Sequence, residues 1–371
     1  MSLSQNARVA IIGVVGAACA YFVFGGGLGG GSGPSDPNAA IPRDSFLVAS
    51  VDAEELRRSP IWNVVVGKEG ASADRALGVS AIADACGFDP LMRVVRLAVA
   101  MPENGDRGDF GVAARVQVTR DELERCTTKL AEKRGGSGEA HEAKGFHVID
   151  GPSGAKLGYG AGGLLVAGKG PWFDAMLAAA SGAGPGLRDA KEHVALRDAL
   201  TSHEGFRAPT LLVTALLPKA LRERLEREMG GEVDESGNHV MRGVLGVSAI
   251  GAAIEAGGPG GNVDLEIEMV CDSADACGVV DKLIRKKRLE WSKDFVLRLA
   301  GFGQAIDSLD VKIDGTHLRA TASSSADALA GAIDRALKHG RGAHDNNPRP
   351  RVDIKPDETL PAVDAGSRPR P

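Results

Sequence analysis

The chain has 371 residues and a formal net charge of −5, with 44 Lys and Arg against 49 Asp and Glu. This length is enough for one large or two ordinary domains, and the acidic balance disfavours a nucleic-acid partner, which needs a basic face. Aromatic residues make up 4% of the chain. The predicted core therefore consists mainly of Val, Leu, Ile and Ala, with few of the aromatic side chains that anchor strong binding surfaces.

An uncharged run, residues 9–24, follows Arg8 and leads into a linker rich in Gly, Ser and Pro, residues 25–44. A membrane span needs about 20 residues, with a lower limit near 17, and a short span can thin the bilayer locally. Positive charge stays on the cytoplasmic side. We therefore expect a single-pass signal anchor, with residues 1–8 in the cytoplasm and the body periplasmic or extracellular.

Three alternatives for this N-terminal run remain open. Ala18-Cys19-Ala20 has the small–x–small pattern of a cleaved secretory signal, although the apolar run continues past it, whereas a cleavage site follows the apolar region. Cys19 is also a candidate lipoprotein site. The last alternative is a buried helix of a cytosolic protein, which the Gly-rich linker disfavours.

Residues 45–205 read as a first unit of alternating strands and helices. Asp52 and Thr119 are predicted helix N-caps, the latter with Glu122 in a capping box. The predicted elements are a strand Phe46–Val51, a helix interrupted at Ser59-Pro60, a helix Ser80–Cys86, a hairpin of Val94–Met101 and Phe110–Val118, a helix Glu122–Arg134, strands Phe146–Ile149, Lys156–Tyr159 and Leu164–Ala167, a helix from Pro171 and a helix Arg188–Ser202.

Residues 206–339 read as a second unit, followed by a Pro-rich tail, 340–371, that is predicted to be disordered because it contains few large apolar residues. The predicted elements are a strand Thr210–Leu217, a helix Pro218–Met229, a hairpin of Val247–Ile254 and Val263–Val270, helices Ser273–Lys287 and Trp291–Ala300, a hairpin of Leu309–Ile313 and His317–Ala322, and a helix Ala326–Lys338.

The order strand, helix, hairpin, helix, hairpin, helix occurs twice, which indicates an internal duplication. The matching segments are VQVTRDELERCTTKLAEKR and EMVCDSADACGVVDKLIRKKR, in which an apolar strand leads into a helix that ends in basic residues. The predicted fold class is α+β: duplicated half-domains of antiparallel sheet with packed helices, preceded by one transmembrane helix. The overall plan resembles that of single-anchor envelope proteins of bacteria, a likeness of architecture that implies no site.

The four cysteines of the body are candidates for two disulfides, which persist outside the cytosol. Four cysteines allow three connectivities, and we expect Cys271–Cys277 at a strand–helix junction and Cys86–Cys126 across the end of the first hairpin. The five residues between Cys271 and Cys277 disfavour a zinc site, which needs CxxC-like spacing. The alternative is four buried thiols, since Cys behaves as a small hydrophobe.

Three motifs resemble catalytic or cofactor-binding signatures, but the residues or elements around them do not fit those functions. Gly158–Gly163 matches GxGxxG, but a strand follows it where the dinucleotide fingerprint needs a helix, so we predict a hairpin turn. Gly163–Lys169 matches GxxxxGK, but Gly170 replaces the Ser or Thr of a phosphate loop. Ser153 and Lys156 match SxxK without the partner motifs SDN and KTG. No catalytic residue and no cofactor site is predicted.

The histidines and the basic run also receive structural interpretations. No HExxH occurs, so we predict solvent-exposed His141, His147, His193 and His203 and no metal site. The run Arg285–Arg288 ends a predicted helix, where cations complement the helix dipole. A membrane-surface role, supported by the nearby Trp291, is the alternative.

The first function hypothesis is a non-enzymatic binding or assembly protein of the bacterial envelope, held at the membrane by its N-terminal helix and contacting an envelope protein. A carrier for an apolar ligand is the second, and a hydrolase with a site assembled only in three dimensions is the third. A connected apolar cavity above about 300 Å³ would favour the carrier. A buried Ser–His or Asp–His contact in a cleft would favour the enzyme.

Overall fold

The computed structural model describes seven stretches of the chain, with bounds 36–65, 79–103, 110–133, 140–151, 154–202, 209–229 and 245–345. The predicted anchor, residues 9–24, lies outside them. Within the described stretches, no helix combines the length and the apolar character that crossing a membrane would require.

Twelve strands form one antiparallel sheet that is open at both edges. Their bounds are β1 Ser45–Asp52, β2 Val94–Pro102, β3 Gly111–Val116, β4 Ala140–Ala143, β5 Phe146–Asp150, β6 Ala155–Gly160, β7 Leu164–Lys169, β8 Leu211–Leu216, β9 Val247–Ala256, β10 Asn262–Cys271, β11 Asp310–Asp314 and β12 His317–Ser325.

The sheet is continuous through its centre, where β1 pairs with β8 in antiparallel register, Val48 opposite Thr214. Outward from β1 the neighbours are β2, β3, β7 and β6, and outward from β8 they are β9, β10, β12 and β11. On each side a hairpin comes first, and the later strand of a second hairpin, β7 or β12, then pairs with its outer strand. The first side continues with β5 and β4.

Twelve α-helices lie in the described part of the fold. Their bounds are α1 Ala53–Arg58, α2 Pro60–Val65, α3 Val79–Cys86, α4 Pro90–Arg93, α5 Arg120–Lys133, α6 Gly170–Ala180, α7 Lys191–Thr201, α8 Lys219–Met229, α9 Ala274–Lys293, α10 Phe295–Leu297, α11 Gly303–Ser308 and α12 Ala326–Asp345.

The predicted start signals of the helices are present. Asp52 accepts a hydrogen bond from the backbone N–H of Glu55 at 3.0 Å, and Ser273 caps α9 in the same way. Thr119 and Glu122 form a reciprocal capping box, with the Thr119 N–H donating to Glu122 at 2.8 Å. Such caps satisfy backbone groups that the first turn leaves unpaired.

Helices cover both faces of the sheet. Neighbouring residues of β2 belong to different clusters, Ala98 and Ala100 beneath α6, Leu97 and Val99 beside α5, because side chains alternate along a strand. The α6 side chains Phe173, Met176 and Leu177 fill the first cluster. Helix α7 continues this layer over the second half of the sheet, and α9 packs on the opposite face.

The structure corrects several predicted elements. Trp291–Ala300 is not a separate helix, because α9 runs uninterrupted to Lys293 and then turns through α10 and a π-helical segment Arg298–Phe302. Helix α12 extends to Asp345, into the stretch assigned to the disordered tail. Strand β4 was not predicted, and the predicted halves share one sheet. The α+β class with antiparallel strands is confirmed.

Candidate functional site

A cavity of about 590 Å³ lies between α6, α7 and the turn Pro37–Ala40. Its apolar wall comprises Ala179, Ala180, Leu187 and Val194. The wall also contains four charged side chains, Asp36, Arg188, Arg197 and Asp198, the polar side chains of Asn38 and Ser181, and the small residues Ala39, Gly182 and Gly186. The volume falls in the range of small-molecule sites, but the wall is not the apolar one that a carrier of an apolar ligand was expected to have.

Arg197 is the side chain of this wall with unmet bonding capacity. Its Nη2 donates to Ser50 Oγ at 3.0 Å and to Asn38 Oδ1 at 3.2 Å. Its Nη1 is buried and has no hydrogen-bond partner. Both contacts that hold the guanidinium are neutral, so the positive charge is oriented but not paired by them.

Burial lowers the pKa of Arg197 below its ordinary value, while the charges of Asp36 and Asp198 act in the opposite direction. An arginine nevertheless stays protonated at neutral pH. A cation that is largely removed from water costs free energy unless it is paired. An anionic group in the cavity would offset that cost, so the arrangement favours binding of an anion.

His193, one turn before Arg197 on α7, is fully buried. This contradicts the prediction of an exposed side chain. Its Nε2 lies 2.8 Å from the backbone oxygen of Ser45 and its Nδ1 lies 2.8 Å from Thr214 Oγ1. The carbonyl can only accept, so Nε2 carries the proton and Nδ1 accepts from the hydroxyl. Burial lowers the pKa of His193.

This His–Thr contact does not resemble an activated nucleophile. Both ring nitrogens of His193 are occupied, and neither His193 nor Thr214 belongs to the cavity wall. A catalytic hydroxyl needs a base that can take its proton and a path for the substrate. The contact instead ties α7 to the two central strands, β1 and β8.

A second polar cluster lies on the same face of the sheet, towards β12. Glu266 and Glu268 alternate along β10 and are 3% and 2% exposed. Arg319 Nε lies 3.1 Å from Glu266 Oε1 and 3.0 Å from Glu268 Oε2, and His317 Nδ1 lies 2.8 Å from Glu268. Since one guanidinium contacts both carboxylates, the cluster has the character of a buried ionic network that joins β10 to β12.

The described residues of the three motifs lie in strands and turns. Residues 158–163 run from β6 into the hairpin turn Ala161–Gly163, where Gly162 has a φ of 78°. Lys169 ends β7 and Lys156 lies 3.8 Å from Asp150, while Ser153 lies outside the described residues. Within the described stretches, no group of His, Cys, Asp and Glu side chains is arranged to hold a metal ion.

The other predicted histidines behave differently from one another. His141 is exposed and lies 3.4 Å from Asp150. The His147 side chain is only 15% exposed, because it is held between Arg120 and Glu142 at 3.1 Å from each. His203 lies outside the described residues.

Both predicted disulfides are confirmed. Cys86 on α3 is bonded to Cys126 on α5, with Cα atoms 4.2 Å apart. Cys271 at the end of β10 is bonded to Cys277 on α9, with Cα atoms 5.6 Å apart. Each bridge fixes one end of a helix that packs on the same face of the sheet.

Sequence reasoning missed Arg197, and it predicted an exposed position for His193 on the same helix. A usable signal was present, since His193, Leu196, Arg197 and Leu200 have the i, i+3, i+4, i+7 spacing of a buried helical face. His193, Leu196 and Leu200 are buried. Polar residues on such a face indicate buried hydrogen bonds or a binding site.

Comparison with known proteins gives no family. No protein-family model matches the sequence, and no curated protein matches it. Solved structures of TP0453 in crystal forms I, III and IV align with 81% of this chain and with 96–98% of theirs. Their TM-score is 0.43 and their sequence identity is 9–11%.

Proposed function

We propose that this chain is a non-enzymatic binding protein of the bacterial cell envelope, whose cavity holds a small ligand with an anionic head and an apolar body. The observation that carries the proposal is Arg197, which lines a 590 Å³ cavity and whose guanidinium has two neutral acceptors and a buried Nη1 without a hydrogen-bond partner. The ligand class combines the first two function hypotheses, a binding module and a carrier.

The side chains that line the cavity define the ligand. Arg197 and Arg188 provide positive charge, and Asp36 and Asp198 limit the net charge that the site tolerates. A single carboxylate or phosphate therefore fits better than a polyanion. Ala179, Ala180, Leu187 and Val194 add apolar surface to the same wall, which suits a short alkyl body.

Isothermal titration of the full chain with octanoate, octyl phosphate and octanol tests this assignment. We expect both anions to bind and octanol to bind at least tenfold more weakly, because a charge-assisted hydrogen bond contributes about 1.5–3 kcal/mol. Arg197→Met should weaken anion binding by a similar factor. Arg43→Met is the matched control, since the Arg43 side chain pairs only with its neighbour Asp44 at 3.4 Å.

A second variant separates loss of binding from loss of folding. Val194→Phe narrows the cavity while leaving the Arg197 contacts with Asn38 and Ser50 in place, and it should weaken all three ligands. Equal affinity of wild type and Arg197→Met for octanoate, at equal thermal stability, would refute the proposed role of the guanidinium. Failure of every ligand to bind the wild type would reject the cavity as the site.

The envelope location remains part of the proposal. It is supported by the uncharged run 9–24 after Arg8 and by two disulfides, which persist in oxidising compartments. Deletion of residues 1–30 should move the protein from the membrane fraction to the soluble fraction. Recovery of the uncleaved, full-length protein in the soluble fraction would contradict the anchor.

We also propose that the body arose by internal duplication. The two sides of the sheet share their strand order as far as the fifth strand, which supports this origin. In addition, the fourth and seventh residues after the caps Thr119 and Ser273 are buried, as Leu123 and Cys126 in α5 and as Cys277 and Val280 in α9. Superposition of residues 46–181 on 210–339 should align these helices, and a mismatch would reject the duplication.

A further inference from the structure

Large hydrophobic side chains are exposed mainly in one short segment. Of seven such residues in the described part of the chain, four lie between residues 289 and 299, and their exposed fractions range from 44% for Trp291 to 74% for Phe295. We call these four the apolar tip; they are Leu289, Trp291, Phe295 and Leu299. Exposed large apolar side chains concentrated in one short segment indicate an interaction surface.

The apolar tip lies where α9 leaves the hydrophobic core. Cys277 and Val280 are buried and Ile284 packs against the same cluster, but no residue of α9 beyond Ile284 is buried. The inward-facing spacing continues to Trp291, one full heptad after Ile284, where the core no longer covers it. The helix therefore presents apolar side chains around its final turns.

The segment after α9 is held in place by polar contacts. Arg298 forms a two-point salt bridge with Asp307, at 3.0 and 2.9 Å, and Arg288 donates to the backbone oxygen of Asp307 at 2.7 Å. Asp294 accepts from the N–H of Leu297 at 3.1 Å. The exposed Phe295 and Leu299 thus belong to a folded turn that is fixed to the helix.

The same region is basic in an acidic chain. Residues 281–299 contain seven basic and three acidic side chains, a net charge of +4, whereas the whole chain has a net charge of −5. Arg285 pairs with Asp281 and Lys287 pairs with Glu290, both at 2.7 Å. Lys282, Lys286 and Lys293 are exposed on α9.

We propose that the apolar tip inserts into the headgroup region of an anionic lipid bilayer, with the surrounding lysines and arginines on the lipid phosphates. Trp favours the membrane interface, and Trp, Phe and Leu form the apolar face of segments that lie in it. Lys side chains extend towards headgroups while their methylenes stay in apolar surroundings. Apolar burial and attraction to anionic lipids add in such segments. Protein interfaces, by contrast, are depleted in Lys.

This proposal depends neither on the cavity nor on the predicted anchor, so its test needs a local readout. The full chain contains three Trp, and Trp62→Phe with Trp172→Phe leaves Trp291 as the single fluorophore. The protein is mixed with vesicles of phosphatidylcholine alone or of equimolar phosphatidylglycerol and phosphatidylcholine. Brominated acyl chains quench only a fluorophore that enters the bilayer.

In the anionic vesicles we expect Trp291 emission to shift to the blue and to be quenched by the brominated lipid. In phosphatidylcholine alone both effects should be small, even if residues 9–24 hold the protein on the vesicle. Replacing Lys282 and Lys293 with Gln should weaken the response about tenfold, since each basic residue near an anionic surface adds to partitioning.

Phe295→Ser with Leu299→Ser should abolish the quenching without unfolding the protein, because both side chains are exposed. Met92→Ser is the matched control, an equally apolar side chain, 54% exposed, on α4. Vesicle-bound protein whose Trp291 is not quenched would overturn the proposal. Equal quenching in both vesicle types would overturn its electrostatic part. Blue emission without lipid, together with a dimeric mass by light scattering, would assign the tip to a second copy instead.

Discussion

Removal of Arg319 should strongly destabilise the second half of the sheet. This side chain contacts Glu266 at 3.1 Å and Glu268 at 3.0 Å, and both carboxylates are at least 96% buried. In Arg319→Met the two carboxylates would face each other without their shared cation. Breaking a buried ion pair from one side costs about 3–5 kcal/mol. One quarter of the Arg319 side chain is exposed, so we expect the lower end, about 3 kcal/mol.

Urea unfolding at pH 7, followed by circular dichroism, measures this free energy. The Arg319→Met curve should shift to lower urea with little change in slope, because the surface exposed on unfolding is nearly the same. Arg115→Met is the matched control, an exposed arginine on β3, where the expected change is within about 0.5 kcal/mol. Adding Glu266→Gln and Glu268→Gln to Arg319→Met should recover much of the lost stability.

This recovery is the decisive comparison. If the cost arises from unpaired buried charge, neutral amides remove it even though the arginine is absent. A loss below 1 kcal/mol in Arg319→Met would refute the ionic network as a structural element. A large loss that the two Gln substitutions do not relieve would show that packing of the arginine, and not charge compensation, holds β10 to β12.

Two further predictions concern stability. Burial lowers the pKa of His193 from 6.5, so below pH 6.5 the unfolded state binds the proton first. The free energy of unfolding should therefore decrease as the pH decreases, by up to about 1.4 kcal/mol per pH unit. His193→Gln should remove this slope in urea titrations between pH 5 and 7. Replacing both cysteines of the bridge Cys86–Cys126 with Ser should lower the free energy of unfolding by about 4 kcal/mol, according to the chain-entropy relation. The same replacement at Cys271–Cys277 should lower it by about 2 kcal/mol, because the closed loop is shorter. A reversed order of the two urea midpoints would show that loop length does not control the effect.

Local signals in the sequence predicted the strands and helices well, but not which helix packs over which face of the sheet. The strand Val263–Val270 alternates acidic and apolar residues, a pattern typical of a sheet with one solvent-exposed face. In the structure α7 covers that face at Glu266 and Glu268. The arginine that compensates them lies about 50 residues later, and alternation along a single strand contains no information about such a partner.

Local sequence signals also failed at two other places: His193 was predicted to be exposed, and Trp291–Ala300 was predicted to be a separate helix. The partners of His193 are Ser45 and Thr214, separated from it by 148 and 21 positions, so its burial depends on tertiary packing that its polar neighbours conceal. Trp291 was assigned to a new helix, although no Gly or Pro lies between residues 279 and 300 to end α9 earlier. The pairing of β1 with β8 is likewise non-local.

The central strand pair has a consequence for assembly of the chain during synthesis. Strand β1 can pair with β2 early, but its other edge accepts β8, which is made more than 150 residues later. Until then β1 presents unpaired N–H and C=O groups, the kind of edge that recruits another chain. The β8 of a neighbouring copy offers the same register as the native one. Exchange of halves between two nascent chains is therefore the specific misassembly that this topology permits, and slow emergence of β8 favours it.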